Sequence, residues 1–352
     1  ESIQLESGIP DAPLFTAGWQ VAPALATGNA VVLKPSELTP LTSLALAILA
    51  ERAGLPPGLV NVLAGEGATS AQAALAAPQV RKVVFVGSVA TGRRIAEAAA
   101  RRPRPRPLEL GGKSANIVFE DADLPRAALG AQAAIFAGAG QSCVAGSRLL
   151  VQRPVYDRFV AMVAEGMRKL RLGDPLAEDT EIGPINNARQ CALIRDIVER
   201  SRAAGARVLA GEAPSEGCFV APTILAGLGN DSLAARTEIF GPVVVAIPFD
   251  TEEEAVALAN DSAFGLAGAV WTQSPARAHR VAAAARAGTF WINGYKTIHV
   301  SAPFGGFGAS GYGRSSGVEG LYEYTQTKSV WVETAADPVA AFGYAPGLRE
   351  RA

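Results

Sequence analysis

The sequence predicts an α/β protein of two doubly wound lobes, and three observations carry that expectation. The chain has 352 residues, long for a single hydrophobic core. Short continuous β-branched runs alternate with helical stretches along most of it, as in a parallel sheet covered on both faces. One segment, Arg101 to Pro107 (RRPRPRP), breaks the rhythm. Its prolines forbid helix and its charges favour water, so it reads as an extended approach to a domain crossing.

In the first lobe, Asn29–Lys34 is a strand ending at Pro35, and a helix follows from Leu41 to Ala53 with Gly54 as its stop. Leu59–Leu63 is a second strand and Ala71–Ala77 a second helix. Lys82–Val86 is a third strand closing on Gly87 and Ser88, with a helix over Gly92–Arg101. The second lobe has strands at Ala115–Phe119, Arg148–Val151, Val243–Ile247, Ala269–Trp271 and Thr289–Ile292. Helices over Leu124–Phe136, Val155–Leu170 and Ala188–Ala204 lie among them. The tail Lys328–Glu333 alternates like an edge strand and invites pairing outside its own lobe.

Lys plus Arg number 32 and Asp plus Glu 33, for a net charge of -1. That balance argues against nucleic acid or an anionic membrane as partner. No apolar run reaches the ~18 residues of a membrane span, and residues 1–10 lack the apolar core of a signal peptide. Three cysteines are too few for a disulfide framework, so a reducing cytoplasm is expected. With two histidines and no Cys/His cluster at ligand spacing, no metal site is expected.

Cys143 stands in the Gly-rich segment Ala139–Gly146, where small neighbours admit a substrate close to sulfur. An arbitrary cysteine is more often a buried structural thiol, the reading given to Cys191 and to Cys218 near the start of a strand. His279 and His299 fall in no catalytic setting, so a nucleophilic Cys143 needs another base. Glu109, between Leu108 and Leu110 and followed by Gly111-Gly112, is the candidate, because burial moves a carboxyl towards working pH. Taken alone, a glutamate between leucines is more often a helix-surface or edge residue. Lys34-Pro35-Ser36-Glu37 ends a strand where a wound sheet binds nucleotides, and Glu37 suits ribose hydroxyls. Gly87-Ser88 to Gly92 opens a helix that suits a diphosphate, although it does not match GxGxxG and is also an ordinary turn.

Together and in this order, these segments resemble the NAD(P)-dependent aldehyde dehydrogenases. The matching pieces are APALATGN with VVLKPSE, FVGS with Gly92, LELGGKSANIVFEDADL, and GQSC with AGSRLL. EIFGPV, NDSAFGLAGAVWT, GTFWIN and APFGGFGASGYGR follow, so the resemblance runs from about Trp19 to Val332. It implies two Rossmann-like lobes: a partial cofactor domain over residues 1–111, a catalytic domain over 112–310, and a return segment with an oligomerisation strand over 311–352. It implies that Cys143 attacks an aldehyde to give a thiohemiacetal, that oxidation leaves a thioester, and that Glu109 activates water to hydrolyse it. Lys34 and Glu37 would hold the adenosine ribose and Ser88 the diphosphate, with Ser36, Gly87, Gly92 and Leu110 completing that surface. Glu238 and Phe240 would lie at the nicotinamide, and Phe304 would wall the aldehyde pocket. The carboxylate of Glu37 favours NAD over NADP, and a homodimer or homotetramer is implied.

Two residues depart from the family pattern. Asp11 stands where an oxyanion-donating asparagine is usual, and Gln20 where a lysine follows the tryptophan. Family chains also begin before the point matching Glu1, so the sequence reads as a fragment or a shortened relative. The alternative function is a non-catalytic, aldehyde-dehydrogenase-like subunit that keeps the fold. A CoA-acylating enzyme is a third option, opposed by the hydrolytic glutamate.

Overall fold

The computed structural model describes residues 12–101, 107–214, 216–332 and 334. Asp11, most of the proline-arginine segment and Glu333 lie outside the described residues.

The first lobe runs α1 (Pro13–Ala26), β1 (Val31–Leu33), α2 (Leu41–Arg52), β2 (Val60–Val62), α3 (Gln72–Ala76), β3 (Phe85–Val86), α4 (Val89–Ala100) and β4 (Leu108–Glu109). The second contains β5 (Ala115–Val118), α5 (Leu124–Phe136), β6 (Arg148–Gln152), α6 (Tyr156–Met167), α7 (Ala188–Ala203), β7 (Arg207–Ala210), β8 (Thr223–Ala226) and α8 (Leu233–Arg236). It continues through β9 (Val243–Phe249), α9 (Glu252–Asn260), β10 (Phe264–Gly265), β11 (Ala267–Trp271), α10 (Pro275–Ala284) and β12 (Thr289–Ile292). A return segment adds β13 (Phe307–Gly308), β14 (Gly311–Tyr312) and α11 (Gly317–Tyr322).

One seven-stranded sheet, ordered β12-β11-β5-β6-β9-β8-β7, organises the second lobe. Every neighbouring pair is parallel except β7–β8. Strands β5, β8 and β11 are buried at every residue, as expected of a sheet covered on both faces. Helix α5 starts where the Asp123 carboxylate accepts the Arg126 N–H and Pro125 occupies the first turn. Its alanine-rich face packs closely: a methyl at Gly130 would overlap the indole of Trp271, whose Nε1 donates to Asn116.

The first lobe has shorter strands than the sequence predicts. β1 pairs only with β2, and β3 pairs with β4, which pairs antiparallel with β14 of the return segment. The strand expected over Lys82–Val86 narrows to Phe85–Val86. Lys82 leaves that line to pair with Glu323 at 2.7 Å. Helix α4 begins three residues before the expected Gly92, because Ser88 Oγ accepts the Thr91 N–H and caps it. Cys218 lies in a loop five residues ahead of β8, not at a strand start. Among the described residues of Lys328–Glu333, 328–332, the expected edge strand does not form. Val330, Trp331 and Val332 are exposed, Trp331 by 94%, and no strand among the described residues pairs with them. Among the described residues no helix is long and apolar enough to cross a membrane.

Candidate active site

Three segments converge at one end of the central strands of the large sheet, and each enters a parallel strand at its N-terminal end. Residues 109–114 lead into β5, 141–147 into β6 and 238–242 into β9. Open α/β sheets usually place ligands at the opposite, C-terminal ends. In the first lobe the segments expected at a nucleotide do lie at C-terminal strand ends, Lys34–Glu37 after β1 and Gly87–Ser88 after β3.

The Leu-Gly-Gly run explains how the loops come so close. A methyl at Gly111 would overlap the Glu238 carboxylate, and one at Gly112 would overlap the carbonyl oxygen of Cys143. In the space so left, Gly112 N–H donates to Glu238 Oε1 at 3.0 Å. Gly112, Ser142, Glu238 and Phe240 line one cleft with an empty volume of about 220 Å³. Phe240 holds a left-handed φ of 52°, uncommon for a bulky residue, and Gln190 of α7 donates to the carbonyls of Ile239 and Phe240.

Cys143 is half-buried, whereas Cys191 on α7 is buried. The approach to Cys143 turns through left-handed Gly138, Ala139 and Gly140. At Gly140 any side chain would also strike the backbone of Gly241, which explains this glycine. The Gln141 side chain then pins the loop by accepting the Asn186 N–H at 3.1 Å. Cys143, Tyr295 and Phe304 pack on one apolar cluster with Val144, Leu266 and Trp291. Phe304 also meets Trp19 of α1, ring centroids 5.3 Å apart.

Glu109 is 5% exposed. Burial pushes its carboxyl up to about 8, against the lowering effects of the Ser315 hydrogen bond and the Arg314 charge. Ser315 Oγ donates to Oε1 at 3.0 Å, while Oε2 is buried without a hydrogen-bond partner among the described residues. Behind the loop, Arg148 is buried and donates to the carbonyls of Lys113, Leu258 and Ala259 and to Asn230. Lys113 is 1% exposed, and burial, then the Arg148 charge, lowers its amine to about 7.

The residues expected at a nucleotide fall into two groups. Lys34 is buried and its Nζ lies 3.3 Å from Glu37, whose side chain is 56% exposed; Ser36 is buried beside them. Hydrogen bonding to its own backbone, then to Lys34, keeps the Glu37 carboxyl below its usual range despite partial burial. The second group is knit to Glu109: Gly87 N–H donates to the Glu109 carbonyl, and Gly92 abuts Leu110. Ser88 caps α4 and is exposed. His279 and His299 are exposed, and His299 Nδ1 accepts the Ser301 N–H.

A model of the aldehyde dehydrogenase family matches residues 11–330. The chain belongs to that family. Among curated relatives, a betaine aldehyde dehydrogenase of Cereibacter sphaeroides is 48% identical over 322 residues, covering 91% of this chain and 66% of the relative. The 4-trimethylaminobutyraldehyde dehydrogenase of Homo sapiens is 43% identical over 329 residues, covering 91% and 66%. A solved indole-3-acetaldehyde dehydrogenase in complex with NAD+ superposes with a TM-score of 0.92 at 42% identity, over 94% of this chain and 68% of that one. The chain thus spans just under two thirds of the length of these curated aldehyde dehydrogenases.

Sequence reasoning missed four contributors to this site. Gln190 and Arg148 act through backbone carbonyls, which leave no spacing signal. Ser315 and Tyr324 reach the site from far along the chain. Gln20 appeared only as a departure from a family pattern; it is buried and hydrogen-bonded to both Ser315 and Tyr324.

Proposed function

We propose that this chain carries the catalytic centre of an NAD-dependent enzyme that oxidises an aldehyde to a carboxylic acid, with Cys143 as nucleophile and Glu109 as hydrolytic base. The observation that carries the reading is Glu109: a buried carboxyl near neutrality, held by one oxygen, in the loop whose Gly112 lies against Cys143.

The cofactor assignment draws support from the NAD+ complex of a structural relative and from the fit of this chain's residues. Glu37 offers an exposed carboxylate to ribose hydroxyls beside the Lys34 amine, and Gly87-Ser88 opens the twelve-residue helix α4. Glu238 and Phe240 line the cleft beside Gly112 and Ser142. When bound, the nicotinamide supplies a two-electron acceptor. The chain's own part is to hold and deprotonate. Cys143 keeps the substrate carbon in one place through a covalent bond, which offsets the entropy of a two-body encounter. Glu109, once ionised, takes a proton from the water that releases the acid. Trp19 and Phe304 exclude bulk water from that side. In this reading residues up to 111 serve the cofactor, 112–310 serve chemistry, and the exposed tail around Trp331 pairs subunits of a homo-oligomer in the cytoplasm.

The test is growth of NADH absorbance with a panel of aldehydes, including trimethylammonium aldehydes and indole-3-acetaldehyde, chosen from the names of the relatives. Formation of NADH that requires Cys143 supports the reading. Stoichiometric cofactor binding with no NADH from any aldehyde, in a folded chain, favours the non-catalytic alternative.

A further inference from the structure

Glu109 is the end of a buried line of side chains. Tyr324 O–H donates to Gln20 Oε1 at 2.7 Å, Gln20 Nε2 donates to Ser315 Oγ at 3.0 Å, and Ser315 Oγ donates to Glu109 Oε1 at 3.0 Å. We propose that Gln20, Ser315 and Tyr324 are positioning residues: a one-directional chain of donors that fixes Glu109 by Oε1 and leaves Oε2 to do its proton chemistry. The inference rests on the hydrolytic role proposed for Glu109.

The direction follows from the groups themselves. An ionised carboxylate only accepts, so Ser315 must donate to it. The serine oxygen then accepts from the amide nitrogen of Gln20, which leaves the amide oxygen for the phenol. The opposite polarity needs a proton on Oε1 and a half-turn of the Gln20 amide. Such an amide neither releases nor accepts a proton at ordinary pH, so the line polarises Glu109 without conducting to it. When the attacking water bonds to the thioester carbonyl carbon, one of its O–H bonds breaks and the proton goes to Oε2, while the carbonyl π pair moves onto oxygen; collapse of that oxyanion breaks the C–S bond and returns Cys143 as the thiolate. That proton later departs from the reacting side, not through Gln20.

The line is held at each member. Gln20 and Ser315 are buried, and the Ser315 backbone exchanges two hydrogen bonds of 2.7 Å with Phe304, which fixes the main chain that carries the hydroxyl. Tyr324 sits with its ring 5.0 Å from Lys82 Nζ, and its carbonyl accepts from Asn29 Nδ2. The charged groups around Glu109 are few: Arg314, which favours its ionised form, and Glu323, which opposes it and is itself paired with Lys82. Glu238 lies across Gly111 and Gly112. Desolvation is the largest influence on the carboxyl, so loss of a donor is felt directly.

The experiment is an infrared titration of the unliganded protein, following the carboxyl band that Glu109→Gln removes. Ser315→Ala should raise the apparent pKa by about one unit, roughly a tenfold weaker acid. Gln20→Leu should move it in the same direction by less, Tyr324→Phe by less again, and Ser315→Thr should restore it. Where aldehyde oxidation occurs, the rising limb of the steady rate against pH should shift with the band, while the first-turnover burst of NADH persists. A band that stays put in folded Ser315→Ala and Gln20→Leu overturns the proposal, as does a Tyr324→Phe variant that loses about tenfold in steady rate with no band shift, the mark of a conducting wire. If no aldehyde gives NADH, the hydrolytic reading fails, whereas the titration still decides whether the line holds Glu109.

Discussion

Cys143 and Glu109 make separable predictions because the roles proposed for them fall on different bonds. Cys143→Ala should abolish NADH formation and remove iodoacetamide labelling from its own peptide; loss of both in Cys191→Ala instead would move the nucleophile to α7. Glu109→Gln should release a stoichiometric burst of NADH and then turn over at least ~100-fold more slowly, since a positioned base typically contributes 10²–10⁴-fold. With Glu109 as the proposed base, steady turnover of the parent should climb as pH rises through about 8. The same shift affects stability with a fixed sign. The folded carboxyl holds its proton more tightly than an unfolded one, so its contribution is full below about 4.5 and is lost as pH rises through about 8. Thermal melts should therefore show Glu109→Gln gaining on the parent between pH 5 and 9, by an amount on the order of a few kcal/mol. At Glu37 the exposed carboxylate should repel a 2′-phosphate, so Glu37→Ala should weaken NAD and narrow its advantage over NADP in fluorescence titrations.

The element that builds the site is the glycine pair before β5. Because Gly112 faces the Cys143 backbone, a methyl there forces the loops apart, whereas one at Gly111 displaces the movable tip of the Glu238 side chain. Gly112→Ala should cost about 10²-fold in kcat/KM, the loss expected when reacting groups shift by about an ångström, and Gly111→Ala should cost less. The strands of the large sheet should keep their slow amide exchange, because the loops precede them. Full activity in Gly112→Ala would show that close approach is not required. The sequence marked this run by its glycines and flanking leucines, and it placed Cys143 in a segment between a helix and a strand, where it lies. It gave no sign that Glu238, more than a hundred residues away, accepts a hydrogen bond from the run. Hydrogen bonds to backbone carry no residue pattern, and Gln190 beneath Phe240 was hidden for the same reason.

At the scale of the whole molecule, the proposed homo-oligomer predicts that light scattering finds species larger than one chain. Charged replacements of Val330 and Trp331 should return them to monomer; assembly unchanged by those replacements would place the interface elsewhere. The alternation that suggested a strand at Lys328–Glu333 was a true reading of side-chain pattern. A strand also needs a neighbour's backbone, and among the described residues none pairs with that segment. That case divides what each level decided. By itself the sequence determined the α/β class, the order of most elements, the family, and the segments holding Cys143, Glu109, Glu37 and Glu238, because hydrophobic period, glycine and local motif are written in neighbouring residues. Only the tertiary structure decided that the candidate site lies at the N-terminal ends of β5, β6 and β9, and that Gln20, Ser315 and Tyr324 stand in line behind Glu109. The reason is physical: those three residues are each distant from Glu109 along the chain, and what unites them is the need of polar groups removed from water for partners, a need satisfied in space and not in sequence.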